Sequence, residues 1–177
     1  MAQRIDGVVL LDKPSGMSSQ SAVTSVKRLL HAEKAGHTGT LDPMATGLLP
    51  VCLGEATKYS QDLLDADKVY QAKLRFGIQT DTGDAQGQII AEKSTAEVTD
   101  NAMAQGLMEG ILPRFTGEIE QVPPMYSALK RDGKPLYEYA RSGIEIEREP
   151  RKITIYSIKL LNVQWPEIDI DLYSCFS

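Results

Sequence analysis

One carboxylate, Asp42, stands in a stretch of glycines and small residues that covers residues 36–49. Pro43, directly after it, restricts the backbone of Asp42 to extended or turn conformations. The glycines allow positive φ angles and let another backbone come close. The apolar residues 48–53 then lead from this loop into a predicted core. A carboxylate on a rigid, glycine-lined loop is typical of a reactive group that is held open toward a ligand.

Each chemical candidate also has a purely structural interpretation. An Asp before a Pro is a common turn residue, and taken alone Asp42 is more simply explained in that way. A lone loop histidine such as His37 is more often structural than catalytic. A strand tyrosine such as Tyr70 usually belongs to the core, although strand alternation puts it on one face with Ala72 and Leu74 and predicts that it is half-buried.

Apolar periodicity predicts the elements that must position these residues. Residues 7–12 read as a strand, and Ser18 or Ser19 can cap the helix that follows. The apolar face of that helix is formed by Ala22, Val23, Val26, Leu29 and Leu30.

The remaining chain alternates between predicted strands and short helices. Strands are predicted at residues 49–53, 69–76, 88–91, 115–121, 126–130, 151–163 and 168–173, helices at 56–64, 100–110 and 136–141, and a polar loop at 77–86. The predicted fold class is α+β, with a mixed, mainly antiparallel sheet and helices packed against it.

Composition narrows the function classes. A chain of 177 residues with 42% hydrophobic and 24% charged residues is of the size of one domain with a packed core. No apolar run is long enough to cross a bilayer, and residues 1–6 lack the apolar core of a signal peptide, so we expect a cytoplasmic protein. Cys52 and Cys175 have no metal-binding spacing and the chain has two histidines, so we expect no metal.

The net charge of −5 does not by itself suggest a nucleic-acid partner. The acidity is concentrated in residues 61–120, which carry five basic and eleven acidic residues. Residues 130–152 hold seven basic against five acidic residues, and tyrosines are interleaved with them. That combination suits a lobe that grips folded RNA through phosphates and stacking, although a solvated basic face explains it too.

A long run around Asp42 resembles the catalytic motif of pseudouridine synthases of the bacterial TruB type. The similarity begins with Leu11-Asp12-Lys13-Pro14-Ser15-Gly16-Met17-Ser18-Ser19, continues with Ala35-Gly36-His37-Thr38-Gly39-Thr40-Leu41-Asp42-Pro43 and Ala45-Thr46-Gly47-Leu48-Leu49-Pro50, and extends to Gly54-Glu55-Ala56-Thr57-Lys58. The resemblance implies an isomerase that converts uridine to pseudouridine in the T-loop of tRNA, at position 55. It also implies the catalytic-domain fold of that family and a reaction that needs no metal and no organic cofactor.

The resemblance assigns roles to individual residues. Asp42 corresponds to the essential carboxylate, which can add to C6 of the uracil, trap C1′ of the sugar or remove a proton from C2′. In every case the carboxylate has to be ionised. Four residues are expected close to the substrate: His37 near the flipped nucleotide, Tyr70 against the uracil ring, Lys13 close to the catalytic loop, and Lys58 at a phosphate. Two more, Lys130 and Arg141, are expected to bind RNA from a gripping insertion at about residues 121–150. Stand-alone tRNA enzymes of the family carry such an insertion, which favours tRNA as the substrate. The resemblance also implies a monomer, since the homologous tRNA enzymes look like monomers.

The resemblance covers residues from about 5 to 175. The family would then continue with a strand of the type Lys-Gly-Thr-Tyr-Ile-Arg, which carries the arginine expected to pair with Asp42, and with a C-terminal RNA-binding domain. The chain reads Phe176-Ser177 instead, so we expect a shortened catalytic domain that is poorly stable or inactive alone. Two further hypotheses stay open: a non-catalytic RNA-binding remnant, and a hydrolase that uses Asp42, although the loop lacks the second carboxylate that glycosidases need.

Overall fold

The computed structural model describes residues 3–64, 66–127 and 129–175. Phe176 and Ser177, at which the resemblance ends, lie outside the described residues. The chain divides into two compact units, residues 1–66 and 67–177, and each is described by itself. None of the helices in the described part of the chain is both long and apolar enough to span a membrane.

The first unit is a three-stranded antiparallel sheet with one long helix against it. Its elements are β1 (Gly7–Lys13), α1 (Ser19–Leu29), β2 (Ala35–His37), β3 (Gly47–Leu53), a 3₁₀ turn (Gly54–Tyr59) and α2 (Ser60–Leu64). The strand order is β1-β3-β2, so β3 is hydrogen-bonded on both sides. The loop that carries Asp42 connects β2 to this central strand.

Helix α1 forms because its cap and its apolar spacing agree. Ser18 is the N-cap residue, and its side chain accepts a hydrogen bond of 3.1 Å from the Ser21 N–H. Val23 and Val26 then pack against Val51 and Leu53 of β3 in the core of the unit. This packing is the main stabilisation of a helix of this length.

The prediction for Leu29 was wrong, because its side chain is 79% exposed. Leu29 is the last residue of α1, and Leu30, in the C-cap position, packs against the core cluster instead.

Strands β1 and β3 are apolar on both faces. Val9 and Leu11 pack against the core cluster, whereas Val8 and Leu10 point to the other side and are 48% and 70% exposed. Leu48 of β3 is 64% exposed.

The second unit contains a four-stranded antiparallel sheet and two small hairpins. Its elements are β4 (Lys68–Arg75), β5 (Ile78–Thr80), β6 (Ile89–Glu92), α3 (Asn101–Ile111), a 3₁₀ turn (Leu112–Phe115), β7 (Gly117–Gln121), β8 (Lys130–Arg131), β9 (Lys134–Pro135), α4 (Leu136–Arg141), β10 (Arg151–Gln164) and β11 (Glu167–Cys175). The large sheet has the order β4-β11-β10-β7, and β5-β6 and β8-β9 are separate pairs.

Helix α3 closes the core of this unit. Asp100 caps it by accepting a hydrogen bond of 2.8 Å from the Met103 N–H. Met108 packs with Ile168 and Ile170 of β11, the central apolar residues of the sheet. Burial of these side chains fixes α3 against the sheet that carries Tyr70.

The α+β class is confirmed, and most predicted elements are present within a few residues. Three details differ. Gly36 and His37 were predicted as loop and form β2 together with Ala35, the predicted loop at 77–86 contains the whole of β5, and of the strand predicted at 126–130 the described residues give only Lys130, in β8. The strands of the described chain also form four separate sheets instead of one.

Candidate active site

Asp42 lies at an exposed turn between β2 and β3. Its carbonyl oxygen accepts a hydrogen bond of 3.0 Å from the Ala45 N–H, which closes the turn. Its side chain is exposed and makes no hydrogen bond or ion pair with the described residues of its unit. The carboxylate is thus presented to solvent on a closed turn, as expected of a group that meets a ligand.

Lys13 lies beneath this turn and has no solvent-exposed surface. Its Nζ donates to the carbonyl oxygens of Pro14 at 3.0 Å, Met17 at 2.8 Å and Pro43 at 3.5 Å. The Pro43 carbonyl also accepts a hydrogen bond of 2.7 Å from the Gly16 N–H. Lys13 therefore ties the end of β1 to the Asp42 loop, and its ammonium group is covered by backbone.

Two serines that follow β1, Ser15 in the connecting turn and Ser19 at the start of α1, add further ties to the loop. Ser15 Oγ donates to the Met44 carbonyl at 3.1 Å. Ser19 Oγ accepts from the Leu41 N–H at 2.9 Å and donates to the Leu41 carbonyl at 3.0 Å. Sequence reasoning treated Ser19 only as a possible helix cap. The sequence contains no local signal for this second role, because Leu41 lies 22 residues further along the chain.

His37 is the last residue of β2, opposite Val51 of β3, so its predicted place in a loop was wrong. The strand is short and centred on Gly36, and only its pairing with β3 makes it recognisable. The side chain is half-buried, and its buried Nδ1 makes no hydrogen bond with described residues. The following residue, Thr38, donates its N–H to the Pro50 carbonyl at 3.3 Å. His37 is thus held at the point where the Asp42 loop leaves the sheet.

Lys58 lies on the exposed 3₁₀ turn after β3 and forms a close ion pair with Glu55, three residues before it. The hydrogen bond and charge of Lys58 lower the pKa of Glu55, and Glu55 raises the pKa of Lys58 in the same way. The charge of Lys58 is therefore partly neutralised within its own turn.

Tyr70 lies in β4, opposite Leu172 of β11, and is half-buried as the alternation predicted. It belongs to the second unit, whereas Asp42, His37, Lys13 and Lys58 belong to the first.

The predicted gripping lobe consists of the β8–β9 hairpin and α4. Lys130 is exposed in β8, and the Arg141 guanidinium at the end of α4 lies 5.2 Å from the centre of the Tyr137 ring. Lys134 lies 4.8 Å from the centre of the Tyr139 ring, whose hydroxyl donates to the Arg131 carbonyl. Basic and aromatic side chains therefore alternate in direct contact, an arrangement suited to phosphate and base contacts.

Comparison with known proteins gives the family. The family model described as TruB family pseudouridylate synthase (N terminal domain) matches residues 27–175. The chain belongs to the TruB family. The resemblance to the TruB type, which was first seen around Asp42, is thereby confirmed, and the match covers most of the chain.

Curated TruB relatives are named tRNA pseudouridine synthase B. That of Aromatoleum aromaticum is 63% identical over 166 residues, which are 94% of this chain and 52% of the relative. That of Cupriavidus metallidurans is 61% identical over 162 residues, which are 92% of this chain and 50% of the relative. The chain thus spans about half the length of the curated relatives that it matches.

Solved structures agree with the TruB assignment. A Cbf5-Nop10-Gar1 complex contains a chain that matches with a TM-score of 0.63 and 31% identity over 96% of this chain and 39% of the other. An H/ACA RNP bound to a substrate RNA containing 2′-deoxyuridine matches with a TM-score of 0.59 and 27% identity, over 96% of this chain and 38% of the other. Among the residues described here, no group of three or more His, Cys, Asp or Glu side chains is placed to hold a metal ion.

Proposed function

We propose that this chain supplies the essential carboxylate and an RNA-gripping lobe of a tRNA pseudouridine synthase that acts on uridine 55 of the T-loop. The observation that carries the proposal is Asp42, exposed on a turn whose flanking backbone is tied to Lys13, Ser15 and Ser19, in a chain of the TruB family. The names of the curated relatives support tRNA as the substrate.

The reaction breaks the bond between N1 of the uracil and C1′ of the ribose and joins C5 to C1′ instead. Atoms are conserved, except that the proton on C5 is exchanged with solvent. Asp42 acts in its ionised form, as nucleophile toward C6 or C1′ or as base toward C2′. Its exposure leaves the carboxylate free of a protein partner among the described residues of its unit, which suits any of these roles.

The RNA has to give up one base to this site. Extruding a nucleotide from folded RNA costs a few kcal/mol, which contacts to the extruded base and its neighbours offset. We assign stacking on the uracil to Tyr70 and contact near the extruded nucleotide to His37. Lys58 is assigned a phosphate contact, for which it has to exchange its partner Glu55.

The lobe at about residues 121–150 is assigned to the grip on the tRNA. Lys130 and Arg141 are its phosphate contacts, and Tyr137 and Tyr139, each beside a cation, are the stacking surfaces. For Lys13 we propose support of the loop, because its ammonium group is fully buried. We also propose that the protein acts as a monomer in the cytoplasm, with tRNA as its partner.

Tritium release from tRNA labelled at C5 of uridine tests the reaction. The chain is assayed as it stands, and as a chimera in which residues 1–175 replace the matching part of the Aromatoleum aromaticum relative. We expect Asp42→Asn to abolish release, and Asp62→Asn, which alters another exposed carboxylate of the same unit, to retain it. A transcript with cytidine at position 55 should give no release.

The other outcomes are equally informative. If the chain and the chimera both bind tRNA and neither releases tritium, the result would contradict catalysis and indicate a binding module. Appearance of free uracil would indicate a hydrolase. Release that survives Asp42→Asn would refute the assignment of the carboxylate. Sedimentation of the chain with and without tRNA tests the monomer.

A further inference from the structure

Ser19 fixes the backbone that directly precedes Asp42. Its Oγ lies 2.9 Å from the Leu41 nitrogen, from which it accepts, and 3.0 Å from the Leu41 oxygen, to which it donates. The Leu41 carbonyl belongs to the planar peptide unit that also contains the nitrogen and Cα of Asp42. The position of Ser19 Oγ therefore sets the orientation of the peptide from which Asp42 projects.

The Ser19 hydroxyl is itself held rigidly. Ser19 is the first residue of α1 and is 3% exposed. Three residues further along the helix, Ala22 is fully buried, and Val23 packs in the core cluster of the unit. A site mounted on a packed helix keeps its geometry better than one mounted on a free loop.

The C-terminal side of Asp42 is fixed by other groups. The Pro43 carbonyl accepts from the Gly16 N–H at 2.7 Å, and the Met44 carbonyl accepts from Ser15 Oγ at 3.1 Å. Asp42, which is exposed, thus stands between two anchored stretches of backbone.

We propose that Ser19 is a positioning residue for Asp42: its hydroxyl fixes the peptide between Leu41 and Asp42 and thereby the direction of the carboxylate. The catalytic consequence rests on the function proposed for Asp42. The neighbouring Ser18 has a different role, since it caps α1 through Ser21 and makes none of the bonds to Leu41.

The first test reads the backbone and does not require activity. Amide hydrogen exchange at Leu41 is followed by NMR in the 177-residue chain and in Ser19→Ala, Ser19→Thr and Ser19→Val. Threonine and valine have the same shape and differ in the hydroxyl, so this pair separates hydrogen bonding from packing. We expect Leu41 to exchange at least tenfold faster in Ser19→Ala and Ser19→Val than in the parent and in Ser19→Thr.

Ser18→Ala is the matched control. It should lower the melting temperature through loss of the cap and leave the exchange of Leu41 unchanged relative to its neighbours. If Ser19→Val does not fold, the comparison between Ser19→Ala and the parent decides, since alanine adds no volume. Equal protection of Leu41 in Ser19→Ala and the parent would overturn the proposal, as would equal loss in Ser19→Thr and Ser19→Val.

The second test reads turnover, in whichever form of the protein shows release that depends on Asp42. We expect Ser19→Ala to lower kcat about 100-fold with KM for tRNA unchanged, because misplacement of a reacting group by about 1 Å costs that much. Ser18→Ala should keep the kcat of the parent. A raised KM with unchanged kcat in Ser19→Ala would contradict a positioning role. If no form shows release dependent on Asp42, the proposed function fails, and the exchange of Leu41 still decides whether Ser19 fixes this backbone.

Discussion

Gly54, at the junction of β3 and the 3₁₀ turn, is a position where one added carbon should be costly. Its φ is +54°, and a Cβ built there overlaps the Asp6 Oδ1 atom and the Ile5 carbonyl oxygen. Asp6 cannot simply move aside, because its Oδ1 accepts a hydrogen bond of 2.7 Å from the Glu55 N–H. Gly54→Ala should therefore destabilise the first unit.

The magnitude is the sum of two contributions. The left-handed backbone conformation costs an L-residue about 1–2 kcal/mol, and forcing an extra carbon into an occupied space costs about 1–3 kcal/mol. Gly16 provides the control, because its φ is +81° and no atom lies within 4 Å of an added Cβ. Gly16→Ala should lose about 1–2 kcal/mol, and Gly54→Ala about 2–5 kcal/mol. The difference measures the steric overlap.

Urea unfolding followed by far-ultraviolet circular dichroism gives the free energy of unfolding of both variants. Fluorescence of Trp165 reports on the second unit, which contains the only tryptophan of the chain, so a loss confined to the first unit should leave the fluorescence transition in place. Equal losses in Gly54→Ala and Gly16→Ala would refute the reasoning, since they would show that the backbone conformation alone sets the cost.

Three other groups give further expectations. The hydrogen bond to Asp67, burial and the charge of Asp67 raise the pKa of Tyr173. The stability that this interaction contributes is therefore complete below about pH 10 and is lost as the pH rises through the pKa of Tyr173 in the folded chain. Asp67→Asn should shift the phenolate absorbance transition of Tyr173 to lower pH. Burial raises the pKa of the Cys52 thiol, so Cys52 should react with iodoacetamide far more slowly in the folded chain than in urea, as measured by mass spectrometry. Glu55→Gln should barely change the urea midpoint, because the ion pair with Lys58 is exposed.

Each of these expectations has a contrary result. An unchanged Tyr173 transition in Asp67→Asn would show that the carboxylate does not hold the phenol proton. Fast labelling of Cys52 in the native chain would contradict its burial in β3. A large loss of stability in Glu55→Gln would show that the pair is more than a surface contact.

Local patterns predicted the parts of the fold in which several signals agree. Helix α1 has both a serine cap and apolar residues at helical spacing, and both signals lie within the segment itself. Strand β2 was not predicted, because nothing in Ala35-Gly36-His37 favours a strand until it pairs with β3. The separation of the strands into sheets depends on the same kind of distant pairing, which a local pattern does not contain.

For the candidate site, the sequence predicted the exposed carboxylate, Asp42, better than it predicted the side chains that hold the Asp42 loop, Lys13 and Ser19. Asp42 could be found because a long run of residues around it matches the TruB catalytic motif, whereas an Asp before a Pro is by itself a common turn residue. The complete burial of Lys13 and the bonds from Ser19 to Leu41 could not be found, since lysine is usually exposed and the two partners are 22 residues apart. The alternation of cations and tyrosines in the lobe was visible in the sequence, and the structure pairs Arg141 with Tyr137.

The two apolar faces of β1 leave its register against β3 poorly specified by hydrophobicity. A slip by one residue would exchange the exposed Val8 and Leu10 for Val9 and Leu11, with little change in apolar burial. The correct pairing is therefore selected at the ends of the strands, by the bond from the Glu55 N–H to Asp6 and by the contact of Lys13 with the Asp42 loop.

A slip would turn Lys13 to the opposite face and away from the carbonyls that it now contacts. Damage at either end of β1 should consequently yield a sheet that is still paired, but in the wrong register. The contacts that support the Asp42 loop are thus also the ones that choose between two nearly equivalent alignments of the strands.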